Sequence, residues 1–207
     1  MSRTARIMAA AIALTALIGL AVQFHASLDR LGAIAETTWI VLRYFTIIAN
    51  LLVAAVFTGI AAGRVNFAAP SLLGGLTLAM LLVGVVYGLL LDGLLELSDG
   101  DKLADLVLHK ITPVLVPIWW LAFAPKGLLN SHDPWRWTIL PVIYLAYALA
   151  RGALEGVYAY PFMDVEKIGW LRTEANALLL AVGFLAAGYA LVWLDKLIGG
   201  RAETASP

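Results

Sequence analysis

The sequence contains no cysteine, which excludes disulfides, thiolate nucleophiles and Cys-ligated zinc or iron–sulfur centres. Charge is scarce as well. Asp, Glu, Lys and Arg make up 14% of the 207 residues, where a soluble domain carries roughly 25%. The charges that exist cancel to +0, so no basic surface is offered to nucleic acid, and no nucleic-acid partner is expected. Histidine is limited to His25, His109 and His132, too few for a His-rich zinc site, and neither a metal nor a cofactor is expected. Also missing are a Gly-rich phosphate loop, a G-x-S-x-G elbow and an H-E-x-x-H helix. No internal repeat of the inverted-transporter kind is found.

What is present is apolar surface. Hydrophobic residues form 62% of the chain and the mean hydropathy is +0.88, so the excess must face lipid rather than water. Crossing a hydrocarbon core takes roughly 20 apolar residues in a helix, and stretches at 6–25, 38–62, 71–95, 104–124, 136–158 and 174–197 qualify. The expectation is an all-α polytopic membrane protein. Six transmembrane helices form one bundle over 1–200, and a disordered tail occupies 201–207. The first stretch follows Arg3 and Arg6 as a secretory signal would, but it exceeds the usual length of a signal's apolar region and more spans follow. It is read as a retained helix.

Taken by alternate sides, Arg3, Arg6, Arg64, Lys126, Arg136, Lys196 and Arg201 fall on one face and Arg30, Lys102, Lys167 and Arg172 on the other. The positive-inside rule then puts both termini in the cytoplasm. Asp29, Glu36, Glu96, Asp99, Asp101, Asp164, Glu166 and Glu174 give the outer face an acidic rim. Trp39, Trp119, Trp120, Trp135, Trp137, Trp170 and Trp193 lie near span ends, where an interfacial aromatic belt is expected. Gly59 with Gly63 and Gly84 with Gly88 suit close helix contact.

Ionisable groups inside spans are costly, so each is a functional candidate. Helix 2 carries Arg43, Thr46 and Asn50 at spacings of three and four, which predicts one shared face. Helix 4 opens with Asp105, His109, Lys110, Thr112 and Pro113. Asp105 stands one turn from His109, where an acid can orient or charge the imidazole. Pro113 removes the hydrogen bond to the His109 carbonyl and predicts a kink there. Helix 5 ends with Arg151 and Glu155, and helix 3 with Asp92 and Glu96, all at one expected depth. Each also has a plainer reading. Arg151 and Glu155 form a neutralising pair, Lys110 and Arg43 snorkel, Thr46 bonds the preceding turn, Asn50 joins helices, and His109 is a satisfied structural histidine. A threonine hydroxyl becomes a nucleophile when a base takes its proton, and a neutral His109 within reach is such a base. On these residues alone, acyl transfer from a lipid ester is chemically reasonable.

The segments RYFTIIANLL (Arg43 to Leu52), VLHKITPVLVPIWWL (Val107 to Leu121) and YPFMD (Tyr160 to Asp164) resemble the androgen-induced-protein and androgen-dependent-regulator family of six-helix membrane proteins. That resemblance implies hydrolysis of fatty acid esters of hydroxy fatty acids, with Thr46 as nucleophile and His109 as its partner, and with Asn50 in support. Arg43, Lys110, Arg151 and Glu155 are the candidate substrate-binding residues, the cations holding a free carboxylate or an oxyanion. The alternative expectation is a non-enzymatic binder or carrier of an anionic lipid or small amphiphile, in which the same polar groups anchor a head group.

Overall fold

The structure, a computed structural model, describes residues 1–94 and 99–204. It is all-helical, 84% helix, with no strand among the described residues. Among the described residues, five helices are long and apolar enough to cross a membrane, or six when one bent pair counts as a single span. Their apolar surface is largely left outside the protein core, with under a third of the most apolar window of Arg3–Leu31 and of Trp170–Gly200 buried. Such faces need lipid, and they point to a membrane protein.

The chain divides into two compact units, Met1–Lys126 and Gly127–Pro207. The first contains α1 (Arg3–Leu31), α2 (Ile34–Val41), α3 (Phe45–Ala61), α4 (Pro70–Leu90), α5 (Asp99–Asp105), a π-helical turn (Leu106–Ile111) and α6 (Thr112–Phe123). Ser2 caps α1 by accepting the Ala5 N–H, and Gly32, at φ 75°, closes it in a left-handed turn that a side chain would strain. α1 packs along α3, α5 and α6, while α4 packs on α6. The core sits where these meet. Phe57 meets Trp119 edge-on with ring centroids 5.1 Å apart, and the Trp119 indole N–H donates to Ala5 O at 3.0 Å. Trp119, Trp120 and Trp137 are therefore buried, not part of an interfacial belt, whereas Trp39, Trp135, Trp170 and Trp193 are exposed.

The expected continuous helix over 38–62 is broken. Arg43 N–H donates to Ile40 O and Tyr44 N–H to Val41 O, tightening the chain, and Tyr44 then turns extended (φ −97°, ψ 132°) before α3 starts. The two pieces meet at 96°. Neither glycine nor proline stands between Ile34 and Thr58 to announce the break. Of the expected small-residue contacts, Gly59 faces Phe67 and Gly84 faces Pro113, whereas Gly63, at φ 76°, lies in the turn after α3 against the Arg6 guanidinium.

The second unit contains α7 (Asp133–Trp137), α8 (Ile139–Glu155), α9 (Val165–Ile168) and α10 (Trp170–Thr204). Buried Asp195 on α10 anchors the segment before α7, its carboxylate accepting the Leu129 N–H at 2.9 Å. Asn176 donates to Phe162 O at 2.8 Å and ties the YPFMD loop to α10. α10 runs to Thr204, and residues 205–207 of the expected tail lie outside the described residues. Glu96 does too.

Candidate active site

α3 starts one residue before Thr46, so this hydroxyl sits in the first turn of a 17-residue helix. The first N–H groups of such a helix have no intrahelical partner, and its dipole is positive there. Tyr44, which precedes the helix, offers no side-chain cap. Across from Thr46 runs the π-helical turn that carries His109. Thr46 Oγ1 and His109 Nε2 are 3.1 Å apart, and Thr46 is buried. Two residues 63 positions apart in the chain are thus in hydrogen-bond contact.

The π-helical turn is what the missing N–H of Pro113 becomes. α5 runs through this turn into α6 as one candidate span, Gly100–Phe123. It widens over Leu106–Ile111, with Thr112 N–H reaching back five residues to Val107 O. Widening leaves carbonyls short of partners inside the membrane, where none comes from solvent. Asn50, with no exposed surface, supplies them. Its amide donates to Leu108 O at 3.3 Å and to Thr46 O at 2.9 Å, and its Oδ1 accepts from Thr112 Oγ1 at 2.7 Å. Asn50 therefore bonds the backbone of Thr46 and that of Leu108, the residue before His109.

Behind His109 stands Asp105, with Oδ1 3.0 Å from Nδ1. The oxygen lies off the line of the ring N–H, so the contact falls short of a directed hydrogen bond and acts mainly through charge. Asp105 beside Nδ1 favours the neutral tautomer that carries its hydrogen there, an assignment made from the neighbours, and leaves Nε2 to accept from Thr46. Tyr87 of α4, absent from the expected site, completes the cluster. Its ring stacks on the imidazole at 4.2 Å with 19° between planes, and its hydroxyl donates to Asp105 Oδ2 at 2.7 Å. A signal for it exists in the sequence, since Tyr87 is the one residue with a polar side-chain atom in the run Leu81–Leu91.

Asp92 follows α4 in a turn whose N–H donates to Tyr87 O, and its Oδ1 lies 3.1 Å from the Tyr87 hydroxyl. Lys110 donates to both Asp92 oxygens at 3.3 Å, and both side chains are about half exposed. The Tyr87 hydroxyl and then the Lys110 ammonium hold the Asp92 carboxyl below the usual carboxylate range. Lys110 thus has an acidic partner of its own at the edge of the cluster.

Arg43 departs from the expected shared face, because it occupies the break between α2 and α3, half-buried, while Thr46 and Asn50 stay together on α3. Arg151 and Glu155 belong to the second unit. There the buried Arg151 donates to Glu155 Oε1 at 2.6 Å and to the Tyr147 hydroxyl at 2.7 Å, one turn apart on α8.

Compared with protein-family models, with curated proteins and with solved structures, the chain matches none.

Proposed function

We propose that this chain is an intramembrane hydrolase of lipid esters, fatty acid esters of hydroxy fatty acids or close relatives. The reading places it in a bacterial inner membrane with both termini cytoplasmic. The observation that carries it is the 3.1 Å contact between Thr46 Oγ1 and His109 Nε2, buried on the Thr46 side and backed by Asp105. The acceptor nitrogen of His109 is spent on a hydroxyl, and its other nitrogen faces a carboxylate, the arrangement that activates an alcohol nucleophile. The resemblance of the Arg43–Leu52 and Val107–Leu121 segments to the androgen-induced-protein family supports the same pair.

In this mechanism a lipid ester enters between helices. Thr46 Oγ1 attacks the ester carbonyl as His109 Nε2 takes its proton, and Asp105 stabilises the imidazolium. The oxyanion forms against the positive end of α3. The C–O bond to the alcohol then breaks, His109 returns the proton to the leaving oxygen, and an acyl-threonine remains. Water, deprotonated by His109, attacks that ester and releases the fatty acid and Thr46. Lys110, at the edge of the cluster, and Arg43, in the break before α3, are the cations of this unit that the reading offers to a free carboxylate on the substrate.

The test is mass spectrometry of detergent-purified protein after treatment with a fluorophosphonate, comparing wild type with Thr46→Ala and His109→Ala. An adduct on Thr46 that both substitutions abolish is the expected result. A folded, monodisperse protein that takes no adduct would overturn the hydrolase reading and leave a passive lipid binder.

A further inference from the structure

We propose that Tyr87 is a positioning residue of this site, the group that fixes the Asp105 carboxylate and the His109 ring in one arrangement. The inference rests on the hydrolase reading for its consequence in turnover, though its structural half stands without it. Asp105, His109 and Tyr87 close a ring of contacts. Asp105 Oδ1 lies against Nδ1, Oδ2 accepts from the phenol, and the phenol's own ring covers the imidazole face. Asp105 and His109 share one helical segment, so the π-helical turn alone sets their backbone spacing. The orientation of the carboxylate about its own axis is a separate freedom. The bond from Tyr87, on a different helix, removes it.

The hydroxyl has one proton and two carboxylate neighbours, Asp105 at 2.7 Å and Asp92 at 3.1 Å. Lys110 resolves the competition by serving both Asp92 oxygens, which leaves the phenol proton for Asp105. Tyr87 is buried and Asp92 is exposed, so the shorter bond is also the one screened from water and the stronger of the two. Losing that bond frees the carboxylate to swing from Nδ1. The imidazole then loses its preference for the Nδ1–H tautomer, the one form able to take the Thr46 proton.

The experiment uses the full chain, carrying ¹⁵N-labelled histidine, in detergent micelles. Long-range ¹H–¹⁵N correlation reports the tautomer of His109, assigned by loss of its signals in His109→Gln. Wild type is expected to hold the Nδ1–H form. Tyr87→Phe keeps the stacked ring and removes only the hydroxyl, and the two tautomers are expected to mix. Turnover of a p-nitrophenyl ester of a long-chain fatty acid should show kcat lowered about tenfold with KM unchanged, the size of one lost hydrogen bond. Asp92→Ala should retain the Nδ1–H tautomer. A wild-type tautomer in Tyr87→Phe overturns the proposal, and so does an Asp92→Ala protein that behaves like Tyr87→Phe, because the hydroxyl would then act through Asp92. Absence of turnover in wild type would defeat the hydrolase reading alone, since the tautomer readout needs no activity.

Discussion

Thr112 Oγ1 donates to Asn50 Oδ1 at 2.7 Å, joining the end of the π-helical turn to the face of α3 that carries Thr46. Both residues are fully buried, and each also serves backbone carbonyls of the turn: Thr112 reaches Val107 O and Leu108 O, and Asn50 reaches Leu108 O. Their bond sets how far the His109 segment stands from Thr46.

Asn50→Ala should therefore act on stability and on the site together. It strands the Thr112 hydroxyl and weakens the cover on Leu108 O, a loss of about 1–2 kcal/mol for interhelical polar contacts in a membrane protein. Thermal unfolding in detergent measures it. A melting temperature equal to wild type would show that the turn satisfies itself.

Gly19 of α1 backs the same turn from the other side. A Cβ built there would stand 2.6 Å from Val107 Cγ1 and 2.7 Å from Leu108 Cδ2. Gly19→Val should push the His109 segment or α1 away, at a cost of about 1–3 kcal/mol, and should lower fluorophosphonate labelling of Thr46. Gly88, whose Cβ would meet nothing within 4 Å, is the control, and Gly88→Ala should label like wild type.

Asp105→Asn replaces a charge that stabilises an imidazolium with an amide that can donate to Nδ1 and favour the wrong tautomer. Ester turnover is expected to fall by up to about 10⁴-fold, the size of the loss when an orienting acid behind a catalytic histidine becomes an amide. Binding of a non-hydrolysable ether analogue should be unaffected, since Asp105 acts through His109. Equal loss of binding and turnover would count against this role.

A pH dependence follows from the YPFMD loop. The Lys167 side chain, 2.9 Å from Asp164 Oδ2, holds the Asp164 carboxyl below the usual carboxylate range, and the Lys167 backbone N–H adds a cap to α9 at 3.2 Å. A depressed folded-state value stabilises the protein fully above the unfolded-state value, and that contribution is lost as pH falls through the folded one. Asp164→Asn should melt below wild type near neutral pH, with the gap closing below about pH 4, where the unfolded carboxyl titrates. A gap that does not change with pH would show that Asp164 matters as a cap and not as a charge.

Most of the helical architecture was legible in the chain because apolar runs longer than a bilayer core admit few other structures. The polar residues to watch were legible for a related reason: Thr46, Asn50, His109 and Asp105 stand out of apolar sequence, and an ionisable or amide group there must find a partner. The break at Leu42–Tyr44 was not legible. It uses neither glycine nor proline, and tertiary packing rather than local propensity ends α2 and restarts the chain as α3. For that reason the helical spacing that placed Arg43 with Thr46 on one face does not apply, because Arg43 lies in the break and Thr46 on α3.

What the sequence determined by itself is that this is a helical chain with lipid-facing surface and a few polar side chains obliged to pair, because composition and 3.6-residue periodicity are local properties. Which of those side chains pair was decided by the tertiary structure. His109 meets Thr46 because a widened turn ahead of Pro113 rotates the imidazole toward α3 and Asn50 holds the two segments at that distance. Tyr87 enters because α4 lies along α6. Rotation about a helix axis and the choice of neighbour are set by the packing of whole faces, and no window along the chain contains that information.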